Sequence, residues 1–167
     1  HRPYWYARIK EVREEDVDWA EFLMDRPMRP FDPVTYSGWY GYREFSDGPV
    51  PGLASHFIDL VHYITGATRP ASSTCLGGTF TWKDEHAFDC PDHVQCAWVY
   101  PEGFMVGYST NFGNASGNSF KIFGDEGVMD LVNWSKPTWS KAGAGQLRGR
   151  TPEPEPVKHI ERPDHIL

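Results

Sequence analysis

The apolar residues between Ser55 and Gly66 recur at i, i+3, i+4 and i+7, the most regular helical pattern in the chain. These residues are Phe57, Leu60, Val61 and Ile64. The spacing predicts an amphipathic helix with one buried stripe. Ser55 is the expected N-cap, and Gly66 is expected to follow the helix end in a left-handed conformation. A different face of the helix carries His56, Asp59 and Tyr63.

The chain ahead of this helix is less regular. Residues 1–10 are rich in aromatic and β-branched side chains and predict an entering strand. Asp18 is positioned to cap a short helix over residues 19–24. Residues 27–51 are rich in Pro, Gly and aromatic residues and predict a long irregular segment. Loops of that length are uncommon in compact domains unless they serve a function.

Beyond Pro70 the apolar residues alternate with a period of two, the pattern of half-buried strands. Strands are predicted over residues 71–82, 94–100, 104–112, 119–123 and 128–132. Turns at 101–103 and 124–127 join neighbouring strands as hairpins. A helix followed by hairpin-linked strands predicts an α+β fold, with an open, largely antiparallel β-sheet and helices packed on one face. The tail from Lys136 predicts a loop, and residues 163–167 predict the first turn of another helix.

The two faces of the predicted strands differ in composition. One face is the more apolar and is expected to form the core against the helices; it comprises Val94, Cys96, Trp98, Tyr100, Phe104, Val106, Tyr108 and Phe112. The opposite face mixes apolar and polar residues, namely Gln95, Ala97, Val99, Met105, Gly107, Ser109 and Asn111. Such a mixture is typical of protein interfaces, so we expect a homo-oligomer formed through this face.

Composition narrows the class of protein. With 167 residues, 40% hydrophobic and 23% charged, residues 1–167 are expected to form a single globular domain. A formal charge of −7 without a Lys/Arg cluster, and the lack of a long apolar run, argue against nucleic-acid and membrane partners. Three cysteines are too few, and odd in number, for a disulfide scaffold, which favours a reducing compartment such as the cytoplasm. Because the chain starts at His1, we expect a piece of a longer protein, truncated at both ends.

The sequence bears on two kinds of site, one for a metal ion and one for a nucleotide cofactor. His86, Cys90, His93 and Cys96 lie within eleven residues and are donor types that zinc prefers. His93 and Cys96 would point to opposite faces of the predicted strand, so no metal site is predicted. The sequence has no glycine-rich dinucleotide turn and no phosphate loop. Residues 113–117 are interpreted as a connection between strands, and no cofactor-binding residue is predicted in this chain.

His56 is the strongest candidate for chemistry. A histidine in the first turn of a helix that follows a long aromatic loop can face a cleft. Imidazoles exchange protons near neutral pH, which suits them for taking a proton from a hydroxyl. The alternative is a capping or surface histidine. The aromatic share of 15%, with seven Trp, also offers flat surfaces on which sugar rings stack, or serves only for core packing.

Several short motifs occur in an order and spacing that cover nearly the whole chain. They are Trp19 with Phe22-Leu23, Arg29-Pro30-Phe31-Asp32-Pro33, Trp39, His56-x-x-Asp59 before Gly66, Pro91-Asp92, Tyr100-Pro101-x-Gly103, and the run from Ile122 to Leu131. Together they resemble the C-terminal domain of the Gfo/Idh/MocA oxidoreductase family. The resemblance implies a parent protein in which a Rossmann domain that binds NAD or NADP, absent from this chain, accompanies the α+β domain.

The resemblance also implies a function. The chain would be the substrate-binding and oligomerisation domain of an enzyme that oxidises a sugar or polyol hydroxyl, or reduces the ketone, and it would form dimers sheet against sheet. His56 would be the acid/base, beside a lysine of the missing domain. We expect the substrate to contact Trp39, Tyr42 and Arg43 of the aromatic segment, together with Asp59.

Position 52 departs from the family pattern. Many members carry an aspartate four residues before the histidine, and this chain has Gly52. Either another acid such as Asp47 or Asp59 assists, or the proton relay is altered, or the parent does not perform the usual reaction. The alternative function is therefore a non-catalytic carbohydrate-binding or scaffold module.

Overall fold

The computed structural model describes residues 4–113, 119–131, 136–141 and 155–157. The chain divides into two compact units, residues 1–115 and 116–167. The first unit contains the α-helices and a three-stranded sheet, and the second contains a four-stranded sheet. The α+β class is confirmed, with the strands shared between two antiparallel sheets. In the first unit, the Gly113 N–H donates to the Asn111 side chain in a turn.

The N-terminal segment is a 3-10 helix, Tyr4–Glu11, so the predicted entering strand is wrong. A strand needs a neighbour to complete its backbone hydrogen bonds, and no strand described in the first unit pairs with this segment. A second 3-10 turn, Glu14–Asp16, leads to helix α1, Trp19–Leu23. The predicted cap is confirmed, because the Asp18 side chain accepts a hydrogen bond from the Glu21 N–H.

The segment from 27 to 51 is more regular than predicted. It contains helix α2, Pro33–Ser37, and the 3-10 turn Trp39–Gly41, and it enters a π-helical turn, Val50–Ala54. Asp32 caps α2 by accepting hydrogen bonds from the Val34 N–H and the Thr35 hydroxyl. Short helical turns satisfy the backbone locally where prolines prevent long helices.

Helix α3, Ser55–Thr65, continues directly from the π-helical turn. Ser55 is therefore the first residue of the helix and not its N-cap; Ala54 holds that position and makes no side-chain cap. The predicted end is confirmed, because Gly66 has a φ of 72° and its N–H donates to the His62 carbonyl. Only glycine adopts that left-handed conformation without steric cost.

The stripe predicted as buried on α3 is only partly covered. No residue of α3 is fully buried, and Ile64 is 50% exposed. The helix meets the sheet through Phe57, whose ring lies 6.5 Å from that of Tyr108, and through His62. His62 Nε2 lies 2.9 Å from the Tyr100 hydroxyl and shares a hydrogen bond with it. Phe57, Leu60 and Val61 of the predicted stripe are half-buried, and His62 adds a polar contact to the packed face.

The sheet of the first unit contains β1, Ser72–Gly78, β2, His93–Val99, and β3, Met105–Asn111, in that order. Both pairs are antiparallel, and the register places Cys96 opposite Cys75 on one side and Tyr108 on the other. Val94, Cys96 and Tyr100 are buried, which confirms the predicted core face. The opposite face is open, and Met105 is 67% exposed there.

The Asp92 side chain stabilises the loop that connects β1 to β2. It is fully buried and accepts hydrogen bonds from three consecutive backbone N–H groups, those of Phe80, Thr81 and Trp82. The ring of His93 also contacts this carboxylate through Nδ1. Burial alone would raise the pKa of Asp92, but the hydrogen bonds it accepts outweigh burial and lower that pKa. A charged acceptor therefore organises this loop.

The second unit is a meander of four antiparallel strands. They are β4, Lys121–Phe123, β5, Gly127–Asp130, β6, Thr138–Lys141, and β7, Glu155–Pro156. The predicted hairpin is confirmed, since the Gly124 N–H donates to the Gly127 carbonyl. Strands β6 and β7 correct the prediction of a loop from Lys136, because β6 completes its backbone hydrogen bonds by pairing with β5, and β7 by pairing with β6. Residues 163–167, predicted to start a helix, lie outside the described residues.

The cysteines are used in two ways. Cys75 and Cys96 form a disulfide between β1 and β2, while the Cys90 thiol is buried and donates to the Ser46 carbonyl. The odd count did not exclude one bridge. The reducing compartment expected from cysteine usage stays a prediction. Among the described residues, no helix has the length and apolar character required to cross a bilayer.

Candidate functional site

His56 lies in the first turn of α3, and its side chain is exposed. Asp59, one turn further along the helix, is exposed as well. Both face away from the contacts that α3 makes with the sheet through Phe57 and His62. A histidine in this position is free to meet a ligand or a further domain.

Gly52 and Tyr40 share one small volume. A Cβ atom placed on Gly52 would lie 2.7 Å from the Tyr40 hydroxyl oxygen and 2.8 Å from a ring carbon of Tyr40. Those distances are too short for a real side chain, so the Tyr40 ring rests directly on the backbone at position 52. Any larger residue at 52, including aspartate, requires the ring to move.

The Tyr40 ring is held between two other aromatic rings. Trp39 packs edge-on against it with ring centroids 5.5 Å apart, and Phe112 at the end of β3 does so at 5.7 Å. Trp39 itself is 45% exposed. The structure thus places an open aromatic surface beside Gly52, at the entry to the helix that carries His56. Large, partly open aromatic faces of this kind suit stacking of sugar rings.

Among the residues that the structure describes, the hydroxyl of Tyr40 makes one long hydrogen bond, to the Gly48 carbonyl at 3.4 Å. Burial, and then the proximity of Tyr108 and Cys90, raises the pKa of Tyr40. The phenol therefore stays protonated at neutral pH and acts as a hydrogen-bond donor. The sequence alone does not point to Tyr40, because the position of Tyr40 over Gly52 depends on the path of the chain through residues 27–51.

Tyr42 and Arg43 face a different part of the molecule. The Tyr42 hydroxyl donates to the His86 carbonyl at 2.9 Å, and burial together with nearby carboxylates raises its pKa to about 12. The Arg43 N–H donates to the Asp89 carboxylate, and its Nε donates to the Asp89 carbonyl. These bonds fix the loop before β2 to the aromatic segment. The role of Tyr42 and Arg43 in substrate binding stays a prediction.

A cavity of about 270 Å³ lies on the sheet side of the α3 start. Its lining is mainly apolar and consists of Val50, Pro51, Ala54, Ser55, Ile58, Pro70, Trp98 and Tyr100. His56 is not part of this lining, so the cavity and the exposed face of α3 are separate features. The sequence gives no sign of this cavity, because its lining residues come from three segments that lie far apart along the chain.

The four residues weighed as a metal cluster do not converge. Cys96 is bonded to Cys75, the Cys90 thiol contacts Ser46, and His93 contacts Asp92. The ring of His86 packs near Phe88. Within the part of the chain that the structure describes, no group of three or more metal-ligating side chains is assembled.

The described residues do not fit a dinucleotide. Phosphates bind where a helix N-terminus leaves its N–H groups free, and usually where glycines let the backbone approach. The first turns of α1 and α2 are closed by the carboxylates of Asp18 and Asp32, which would repel a phosphate. The start of α3 is a continuation of helical backbone from Val50 onward.

Solved structures of oxidoreductases share this fold. One is an aldose–aldose oxidoreductase from Caulobacter crescentus crystallised with glycerol, 15% identical, with a TM-score of 0.57 over 75% of this chain and 36% of that one. Another is a putative NADPH-dependent oxidoreductase from Desulfitobacterium hafniense, 16% identical, with a TM-score of 0.53 over 71% of this chain and 37% of that one. The chain therefore spans little more than a third of these proteins. No curated protein matches it significantly.

Helices ahead of hairpin-linked antiparallel strands give the chain the α+β fold that it shares with these structures. Residues 16–130 match the GFO/IDH/MocA C-terminal domain family. That range is well over half of the 167 residues, and the chain belongs to this family.

Proposed function

We propose that this chain is the substrate-binding and oligomerisation domain of an NAD(P)-dependent oxidoreductase that acts on a sugar or polyol hydroxyl, or on the corresponding ketone. Two neighbouring features carry the proposal in a chain of this family: the exposed Trp39 ring packs on Tyr40, whose phenol contacts Gly52, and the exposed His56 follows four residues after Gly52. An aromatic wall, a hydroxyl donor and an imidazole are the groups needed to hold a sugar and move its proton.

The proposed role of His56 follows from its position. Its exposed imidazole accepts the proton of the substrate hydroxyl when the alcohol is oxidised and returns it when the ketone is reduced. Asp59, one turn away on α3, is the carboxylate of this helix that lies close enough to assist. NAD or NADP is proposed as the cofactor of the parent protein, bound outside the described residues of this chain.

Oligomerisation is proposed through the open face of the first sheet. Three apolar side chains are well exposed there: Leu76 on β1, Val99 on β2 and Met105 on β3. The register places Val99 directly opposite Met105, so their apolar surfaces are contiguous. A second copy of the same face can cover them around a two-fold axis, which makes a homodimer the simplest assembly.

Turnover by the full-length protein tests the catalytic proposal. The purified protein is offered D-glucose, D-xylose and glycerol with NAD or NADP, and reduction of the nicotinamide is followed by absorbance. His56→Ala is expected to lower kcat by about two to four orders of magnitude while KM changes much less. Asp125→Ala, in the exposed turn between β4 and β5, is the control.

Two results would contradict the catalytic proposal. Either the unaltered protein turns over none of these substrates, or His56→Ala retains full turnover. Binding of a sugar without any turnover would instead support the carbohydrate-binding module. The lack of a carboxylate at position 52 is the feature that favours that second function.

A further inference from the structure

The space around position 52 carries an inference that deepens, and rests on, the proposed oxidoreductase function. Gly52 precedes His56 by four residues, and the backbone between them is helical throughout, as a π-helical turn that runs into α3. In an α-helix, side chains four residues apart lie on the same face, with Cβ atoms about 5–6 Å apart, and across the π-helical turn residue 52 still lies about one turn before His56. A group that fills the side-chain space of residue 52 therefore lies near His56.

Tyr40 occupies that space. Of the atoms that a Cβ on Gly52 would meet, the nearest is the Tyr40 hydroxyl oxygen, at 2.7 Å. The hydroxyl end of the ring, with the ring carbon at 2.8 Å beside it, thus stands where a side chain from residue 52 would begin. Residue 52 contributes no side chain of its own, and a polar group from another segment takes its place.

The orientation of this hydroxyl is determined by packing. Trp39 and Phe112 contact the Tyr40 ring edge-on, and the backbone of Gly52 lies against it. The hydrogen bond of the hydroxyl to the Gly48 carbonyl, at 3.4 Å, is near the limit of hydrogen bonding. A ligand oxygen that approaches more closely would compete successfully for this donor. The raised pKa of Tyr40 keeps the proton on the hydroxyl throughout the neutral range.

We propose that Tyr40 is a substrate-binding residue whose hydroxyl donates a hydrogen bond to the sugar oxygen held beside His56, and that Gly52 is required because this phenol fills its side-chain space. The neutral Tyr40 hydroxyl, a hydrogen-bond donor, would then occupy the space in which a side chain of residue 52 could have supplied a hydrogen-bond acceptor. The ligand expected is a polyhydroxylated molecule whose ring or chain stacks on Trp39 while one oxygen meets Tyr40 and His56.

The experiment uses the full-length protein and the same turnover assay with D-glucose, D-xylose and glycerol. Tyr40→Phe keeps the ring over Gly52 and removes only the hydroxyl, so its thermal unfolding midpoint should equal that of the parent. Its kcat/KM should fall about tenfold, the effect of one hydrogen bond to the substrate. Tyr36→Phe is the matched control, because Tyr36 lies on α2 and packs on Phe22; it should leave kcat/KM unchanged.

A second variant tests the shared space. Gly52→Ala adds one methyl group against the Tyr40 ring and should lower kcat/KM at least as much as Tyr40→Phe. If the methyl group acts by displacing the hydroxyl, the double variant with Tyr40→Phe and Gly52→Ala is no slower than Gly52→Ala alone. Circular dichroism verifies that each variant is folded.

The outcomes separate this inference from the function on which it rests. If His56→Ala abolishes turnover while Tyr40→Phe matches the parent, Tyr40 is not a substrate-binding residue and the oxidoreductase function stands. If Tyr40→Phe lowers kcat/KM only together with a lower unfolding midpoint, the role of Tyr40 is structural and the inference is wrong. If the unaltered protein turns over none of the substrates, the proposed function itself fails.

Discussion

Replacing Asp92 by alanine is expected to lower the free energy of unfolding by about 2–6 kcal/mol. The carboxylate is fully buried and accepts hydrogen bonds from the backbone N–H groups of Phe80, Thr81 and Trp82. The bond to Trp82 is buried, so alanine leaves that N–H without an acceptor, at a cost of about 1–3 kcal/mol. The two remaining bonds are partly exposed and add about 0.5–1.5 kcal/mol each.

The pH dependence of stability provides an independent measurement of the same carboxylate. Asp92 has a pKa below that of an unfolded aspartate because its hydrogen bonds outweigh the effect of burial. A group with a lowered pKa in the folded state stabilises the protein above its unfolded pKa, about 3.9 for aspartate. This stabilisation is lost as pH falls from there through the folded pKa. Stability of the parent should therefore decline more steeply below about pH 4 than that of Asp92→Asn.

Urea unfolding followed by circular dichroism measures both effects on the 167-residue chain. Asp89→Asn is the matched control, since Asp89 is exposed and its side chain accepts one backbone hydrogen bond, from the Arg43 N–H. Its loss should cost no more than about 1 kcal/mol. If Asp92→Ala unfolds within about 1 kcal/mol of the parent, a buried carboxylate does not hold this loop and the reasoning is refuted.

Three other predictions concern the disulfide, the sheet face and the cofactor. Cys75→Ser should lower the free energy of unfolding in urea by about 3 kcal/mol, since the bridge spans 21 residues; a reductant should then have no further effect, and unchanged stability would argue against the pairing. Met105→Glu should convert dimers to monomers in light scattering, whereas a parent that stays monomeric at high concentration would refute the interface. Calorimetric titration of the isolated chain should detect neither NAD nor NADP; binding with a Kd in the micromolar range would place the cofactor site within it.

Local signals in the sequence determined much of the fold. The period-two pattern located β2 and β3 within one residue at each end and identified their core face, because side chains in a strand alternate between its two sides. Asp18 and Gly66 marked helix ends, because capping and left-handed residues depend on nearest neighbours along the chain. The same kind of signal was misleading at residues 4–11, where β-favouring side chains form a 3-10 helix for lack of a strand partner.

Only the tertiary structure decided the rest, because it depends on contacts between segments far apart in the chain. The pairing of Cys75 with Cys96 required the strand register, and the face of α3 that packs was selected by Tyr100 and Tyr108. At the candidate site, the sequence identified His56 and the unusual glycine four residues before it. It did not show that the phenol of Tyr40 fills the space of that glycine's missing side chain, since a close approach across twelve residues of irregular chain leaves no periodic signal.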